Sequence, residues 1–156
     1  MRAMLSCRSL VALSLIISAP ALVAQAPGGL YIAGDQFDFE QAAQAALAEN
    51  AGGQRYYVLV LAPASQALSR QAPGKLGALR GQVSASGGIL LACQRDLVSG
   101  AVDLRNLVPG VVSVRGWPPP DFDLWPPNQL YYPGEDPAQL PVPTEQLRRA
   151  RAACSP

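Results

Sequence analysis

The feature that most constrains the fold of this chain is an unbroken apolar run at residues 56–62, which has the sequence YYVLVLA. Its residues are aromatic, β-branched or aliphatic, the types that favour strands, and no polar residue alternates with them. A strand of this kind needs cover on both faces, as strands have in a parallel sheet flanked by helices. Pro63 ends the run, because a proline cannot donate to the hydrogen-bond ladder.

Three shorter apolar runs repeat this signal along the chain, at residues 30–33 (LYIA), 89–92 (ILLA) and 111–114 (VVSV). Segments that favour helices separate the four runs, at residues 39–50, 75–85 and 95–101. Asp38 is predicted to cap the first of these helices. Strands that alternate with helices predict βαβ units, and therefore an α/β fold with a mostly parallel sheet of four to five strands and helices on both faces.

The N-terminal segment has the organisation of a secretory signal peptide. Arg2 and Arg8 supply positive charge, an apolar run follows at residues 10–17, and small residues come next. The apolar run is too short to span a bilayer, which needs about 20 residues; a retained anchor is the alternative. We expect residues 1–25 to be cleaved and the protein to be periplasmic or secreted, with no membrane span afterwards. The candidate cleavage sites follow Ala21, Ala24 and Ala26.

Composition excludes several classes of function. The sequence has no histidine, which removes Ser-His and Cys-His nucleophile pairs and histidine metal sites. Without Arg2 and Arg8, the 12 basic residues fall to 10, against 11 acidic residues. This balance, with no basic stripe, argues against a nucleic-acid partner or an anionic membrane surface. Asp121 and Asp123 lack a third ligand, so we expect no metal site, and no motif predicts a cofactor.

Cys93 is the candidate chemical residue. It follows the strand at residues 89–92, and ligands of parallel α/β sheets gather beyond the carboxyl ends of strands. Three interpretations stay open. Cys93 is a small buried hydrophobe, or it forms a disulfide with Cys154, as an oxidising compartment permits. In the third interpretation it is a reactive, sulfur-accepting thiol, activated at the start of the next helix with Arg95 nearby.

The segment at residues 117–142 departs from the alternating pattern. Nine prolines lie between residues 117 and 143, too many for a regular helix or strand. The same stretch holds five aromatic residues, which predicts an ordered, extended segment that packs its rings on the domain. Alternatively, four of these rings form a recognition surface. These four candidates are Trp117, Trp125, Tyr131 and Tyr132.

The last segment, residues 143–156, is predicted to form a helix from Thr144 to about Ala153. It carries three arginines, Arg148, Arg149 and Arg151. We expect all three to be solvated at the helix end, where cations suit the negative pole of the backbone dipole.

The stretch from Tyr57 to Gly116 resembles the DsrE/DsrF-like family. The strand VLVLAP, the segment GGILLACQRDL and the turn and strand LVPGVVSVRG follow the order of that family, and the last is similar to its pattern L-x-P-G-V-x-V-x-x-G. The resemblance covers about two-thirds of the chain after residue 25. It implies a three-layer flavodoxin-like fold, an oligomer and, as in some members, a sulfur relay through a cysteine persulfide, here on Cys93. After Gly116 the family continues with a helix and a closing strand, where this chain has its Pro-rich segment.

Two functional hypotheses follow. The first is an exported DsrE-like domain, residues 28–116, that carries out sulfur-relay or thiol-redox chemistry through Cys93, with a small sulfur compound or a protein as its partner. The second is a non-catalytic exported binding or interaction module in which Cys93 and Cys154 are structural. No complete catalytic set is present in the sequence to decide between them.

Overall fold

The computed structural model of the protein describes residues 28–119 and 129–156. The predicted signal peptide at residues 1–25 lies outside the described residues, as does Trp125. The segment predicted to pack on the domain, residues 117–142, is described in part.

Strands and helices alternate in the described chain. The strands are β1 (Leu30–Ala33), β2 (Tyr56–Val60), β3 (Gly88–Cys93) and β4 (Val112–Val114). The α-helices are α1 (Phe39–Glu49), α2 (Gly74–Ala85), α3 (Gln94–Val98) and α4 (Thr144–Ala153). Short 3₁₀ helices occur at Ala62–Leu68, Leu104–Asn106 and Pro137–Gln139. The α/β class predicted from the alternation is confirmed.

The four strands form one sheet in the order β1-β2-β3-β4, and every neighbouring pair is parallel. The register sets Tyr57 beside Leu30 and Ile89, so β2 lies in the interior of the sheet. The continuous apolar run predicted this position, and all five residues of β2 are buried. The strand order is sequential, so these four strands contain no point at which the order reverses.

Each face of the sheet has its own apolar core, because side chains alternate along a strand. Tyr56, Val58 and Val60 of β2 face α1 and α2. Tyr57 and Leu59 face the other side, where they pack in the cluster that includes Leu147 and Ala150 of α4. Helices therefore cover both faces, as a parallel sheet requires.

The first helix begins where the sequence predicts. The carboxylate of Asp38 accepts a hydrogen bond from the backbone N–H of Gln41 at 2.8 Å. The side chain of Gln41 in turn accepts one from the backbone N–H of Asp38 at 3.0 Å. This reciprocal capping box satisfies two of the N–H groups that a helix start leaves free.

The described part of the chain after residue 129 lies against the second face of the sheet. The hydroxyl of Tyr57 donates to the carbonyl oxygen of Pro141 at 3.1 Å. The side-chain amide of Gln146 donates to the carbonyl oxygen of Gly28 at 3.1 Å. Val142 is buried in the same cluster as α4. Across residues 28–119 and 129–156, none of the helices combines the length and the apolar character of a membrane span.

Candidate functional site

The two cysteines after residue 25 form a disulfide. Cys93, the last residue of β3, is bonded to Cys154, the residue that follows α4, and their Cα atoms are 5.3 Å apart. Cys93 is 0% exposed and Cys154 is 2% exposed. The bond therefore connects the carboxyl end of a central strand to the end of the last helix, inside the apolar core of the second face. A sulfur atom held in this way has no free thiolate with which to take up sulfur until the bond is opened.

An open cavity of about 510 Å³ lies beside the disulfide, at the carboxyl ends of β3 and β4. We call it the carboxyl-edge cavity. It is lined by Cys154 but not by Cys93. Arg95, Arg115, Trp117 and Tyr132 also line it. Two of the predicted binding residues, Trp117 and Tyr132, are thus brought together beside the cysteine pair.

Arg115 and Tyr132 stack on this wall. The guanidinium carbon of Arg115 is 3.9 Å from the centroid of the Tyr132 ring, which is the geometry of a cation–π contact. The Tyr132 hydroxyl donates to the carbonyl oxygen of Gly116 at 2.5 Å. Burial raises the pKa of Tyr132, while the charges of Arg115 and Arg151 partly offset that effect. The phenol is therefore neutral, and a donor, at physiological pH.

Arg151 is not solvated, and the prediction that it belongs to an exposed basic helix end was wrong. It is 0% exposed, whereas Arg148 and Arg149 are exposed as predicted. Its guanidinium donates to the carbonyl oxygens of Leu130 and Arg115, both at 2.9 Å, and to a carboxylate oxygen of Glu135 at 2.5 Å. A buried cation is tolerated because these three acceptors replace water.

The guanidinium of Arg151 also faces two of the predicted binding rings. Its central carbon is 5.3 Å from the ring centroid of Tyr132 and 5.9 Å from that of Trp117. The backbone N–H of Trp117 donates to the hydroxyl of Ser155 at 2.9 Å. Arg151 and Ser155 therefore hold the described parts of the Pro-rich segment against the end of α4.

Asp96 lies one turn into the chain after Cys93 and is buried within α3. One of its carboxylate oxygens is 3.5 Å from the Nε of Arg95. The other has no hydrogen-bond partner among the described residues. Asp96 does not cap α3: the N-cap position is occupied by Cys93, without a side-chain hydrogen bond.

Tyr131 does not line the carboxyl-edge cavity, although it packs against the apolar cluster that contains the disulfide. It lines a different cavity, at the opposite edge of the sheet, together with Tyr57 and Arg55. No sequence pattern predicts Arg55, Arg115 or Glu135 as site residues. Arg115 lies within the segment LVPGVVSVRG, whereas Arg55 and Glu135 lie outside any motif. The fold alone brings each of the three to a cavity wall or to Arg151.

No group of three or more His, Cys, Asp or Glu side chains in residues 28–119 and 129–156 is arranged to hold a metal ion. Comparisons with protein-family models, with curated proteins and with solved structures find no match to this chain.

Proposed function

We propose that this chain is an exported, non-catalytic binding module in which Cys93 and Cys154 are structural. The observation that carries the proposal is the disulfide, whose two residues are almost fully buried in the apolar core of the second face. A disulfide suits an oxidising compartment, which agrees with the proposed signal peptide at residues 1–25. The bond ties the last helix to the sheet, and two aromatic cavities open beside that scaffold.

The proposal has two candidate binding surfaces: the rings of Trp117 and Tyr132 in the carboxyl-edge cavity, and the ring of Tyr131 in the cavity at the opposite edge of the sheet. Aromatic side chains supply large contact areas at a small cost in conformational entropy, which makes them effective anchors for a ligand. The fold holds two of these residues in place. The Tyr132 hydroxyl donates a hydrogen bond to the carbonyl oxygen of Gly116, and the backbone N–H of Trp117 donates one to the hydroxyl of Ser155. A rigid surface loses less entropy when it binds than a mobile one.

A second candidate function is thiol or sulfur chemistry at the same cysteines, as in the DsrE/DsrF-like family. It is favoured by the position of the disulfide at the carboxyl end of β3, and by the contribution of Cys154 to an open cavity with two arginines. The chemistry needs two steps. Two reductant thiols first open the bond: the protein disulfide becomes two thiols, and the reductant thiols become a disulfide. The Cys93 thiolate then takes a sulfur atom from a polysulfide, which leaves one sulfur shorter.

A sulfur-loading experiment separates the two functions. The purified protein, with and without mild reduction, is incubated with inorganic polysulfide, and its intact mass is compared with those of Cys93→Ser and Cys154→Ser. A structural disulfide predicts no added sulfur on the oxidised protein, and equal labelling of the reduced protein and of Cys93→Ser. Sulfur on the reduced wild-type protein that is absent from Cys93→Ser would contradict the binding-module proposal and support the second candidate.

A further inference from the structure

A cavity that the disulfide does not touch lies at the amino end of β2. Its volume is about 610 Å³, within the range of small-molecule sites. Arg55 and Tyr57 contribute from β2 and the turn before it, and Tyr131, Leu140 and Val142 contribute from the C-terminal part of the chain. We call it the amino-edge cavity. It faces away from Cys93, which lies at the opposite, carboxyl edge of the sheet.

The apolar lining of this cavity is fixed in place. Tyr57 is 1% exposed, and its hydroxyl bond to the carbonyl oxygen of Pro141 ties the cavity wall to the central strand. Leu140 and Val142 are buried. Prolines at positions 137, 141 and 143 stiffen the backbone around them. A preformed apolar wall with aromatic rings favours a ligand that has a ring of its own.

The cavity has few polar side chains, and the one charged residue in its lining is a cation. Arg55 is exposed, and no carboxylate of the described residues lies within 4.0 Å of its guanidinium. No aspartate or glutamate lines the cavity. The hydroxyl of Tyr131 makes no hydrogen bond within the described ranges, so it is free to donate. One unpaired cation and one free donor beside an apolar wall are complementary to a ligand with a single negative charge.

Arg55 and Tyr57 line the same cavity. Burial raises the pKa of Tyr57, and the charge of Arg55 partly offsets that increase, which agrees with a guanidinium near this wall.

We infer that the amino-edge cavity binds a small aryl carboxylate, with the ring against Tyr131 and the exposed prolines of the wall and the carboxylate on Arg55. The planar guanidinium matches a carboxylate through two parallel hydrogen bonds. A doubly charged phosphate is a poorer match, since Arg55 is the one cation among the cavity residues. The inference rests on the proposed function, because it assigns a ligand class to a module that was proposed to bind.

The test is a calorimetric and NMR titration of the full protein with three ligands of one shape. These are 3-phenylpropanoate, its neutral amide 3-phenylpropanamide and the cation 3-phenylpropylamine. We expect the acid to bind more tightly than the amide by about tenfold, the equivalent of about 1.4 kcal/mol, and the amine to bind least. Arg55→Gln should bring the acid to the level of the amide. Arg148→Gln removes an exposed arginine outside the cavity and should change nothing.

Equal affinity of the acid and the amide for the wild-type protein overturns the inference, and so does an unchanged affinity of Arg55→Gln for the acid. The C-terminus of a peptide that ends in phenylalanine carries the same chemistry, so Gly-Gly-Phe is titrated as the acid and as the amide. Tighter binding of the peptide acid than of 3-phenylpropanoate identifies a peptide as the source of the ligand; the reverse identifies a free small molecule.

The result is independent of the cysteines. Failure of 3-phenylpropanoate to bind removes the ligand class and leaves the sulfur-loading result as it stands. Sulfur uptake on Cys93 removes the non-catalytic proposal, whatever the amino-edge cavity binds.

Discussion

Arg151 shows how a single side chain in the final helix organises the end of the molecule. Its guanidinium has no contact with solvent and makes hydrogen bonds to Leu130, Arg115 and Glu135. Glu135 also accepts a hydrogen bond from the backbone N–H of Tyr132 at 2.9 Å. The hydrogen bonds of Arg151 therefore connect α4 to the chain after β4, through Arg115, and to the segment that follows residue 129, through Leu130 and Glu135.

Replacement of Arg151 by Met is expected to destabilise the protein by about 3 kcal/mol. The change removes one partner of a buried ion pair and leaves two carbonyl oxygens and the Glu135 carboxylate without their donor. Chemical denaturation followed by tryptophan fluorescence measures the loss. The matched control is Arg148→Met, on the exposed side of the same helix, which is expected to stay within about 0.5 kcal/mol of the wild type. Equal effects of the two substitutions would show that Arg151 is not buried in solution.

Three tyrosines with raised pKa values predict a loss of stability at alkaline pH. Burial raises the pKa of Tyr31, Tyr57 and Tyr132 in the folded protein, whereas tyrosines of the unfolded chain ionise near pH 10. Their contribution to stability is thus fully present below about pH 10 and is lost as the pH rises through the folded pKa values.

An absorbance titration at alkaline pH checks this expectation. The folded protein should show at least three tyrosines that ionise at a higher pH than they do in denaturant, and Tyr57→Phe should remove one of them. Coincident titration curves for the folded and unfolded protein would refute the assignment.

At the scale of elements, the end of α4 lies directly on the chain that leaves β4. A Cβ atom at Gly116 would overlap the backbone carbonyl group of Cys154 and would come within 2.6 Å of the backbone nitrogen of Ser155. Both are backbone atoms next to the disulfide, so neither can move without shifting the helix end. Only glycine allows this approach.

We therefore expect Gly116→Ala to cost about 2 kcal/mol, the usual scale of overpacking a tight contact. The control is Gly81→Ala in the exposed middle of α2, where the added methyl group meets no atom within 4 Å. There alanine should raise stability by about 0.8 kcal/mol, because glycine is a poor helix former. Thermal unfolding of the two variants measures both effects. A stable Gly116→Ala protein would contradict the packing of α4 described above.

The sequence predicted those elements whose signal is local. The apolar run at β2 and the cap at Asp38 depend on neighbours in the chain, and the structure confirms both. The predicted exposure of Arg151 was wrong because a sequence pattern treats every arginine as a polar surface residue. Its burial depends on a partner, Glu135, that lies 16 residues earlier in the chain. The disulfide stayed one of three alternatives, since it requires Cys93 and Cys154 to be close in space, and their sequence separation of 61 residues does not determine that.

At the scale of the whole molecule, the disulfide closes a large loop of the chain. A cross-link between residues 61 positions apart is expected to stabilise the fold by about 4 kcal/mol, mainly because it restricts the unfolded chain. The double variant Cys93→Ala/Cys154→Ala should lose about that much free energy of unfolding, and reduction of the wild-type protein should lose a similar amount. If neither treatment lowered stability, the cysteines would have no structural role.

The most direct test of a structural disulfide is an intact-mass measurement on the protein without its proposed signal peptide, isolated without reductant and treated with an alkylating reagent before and after unfolding. We predict a mass two hydrogen atoms below that of the reduced chain, and no alkylation in either state until the bond is reduced. A free Cys93 thiol that reacts with the reagent in the folded protein would contradict the account.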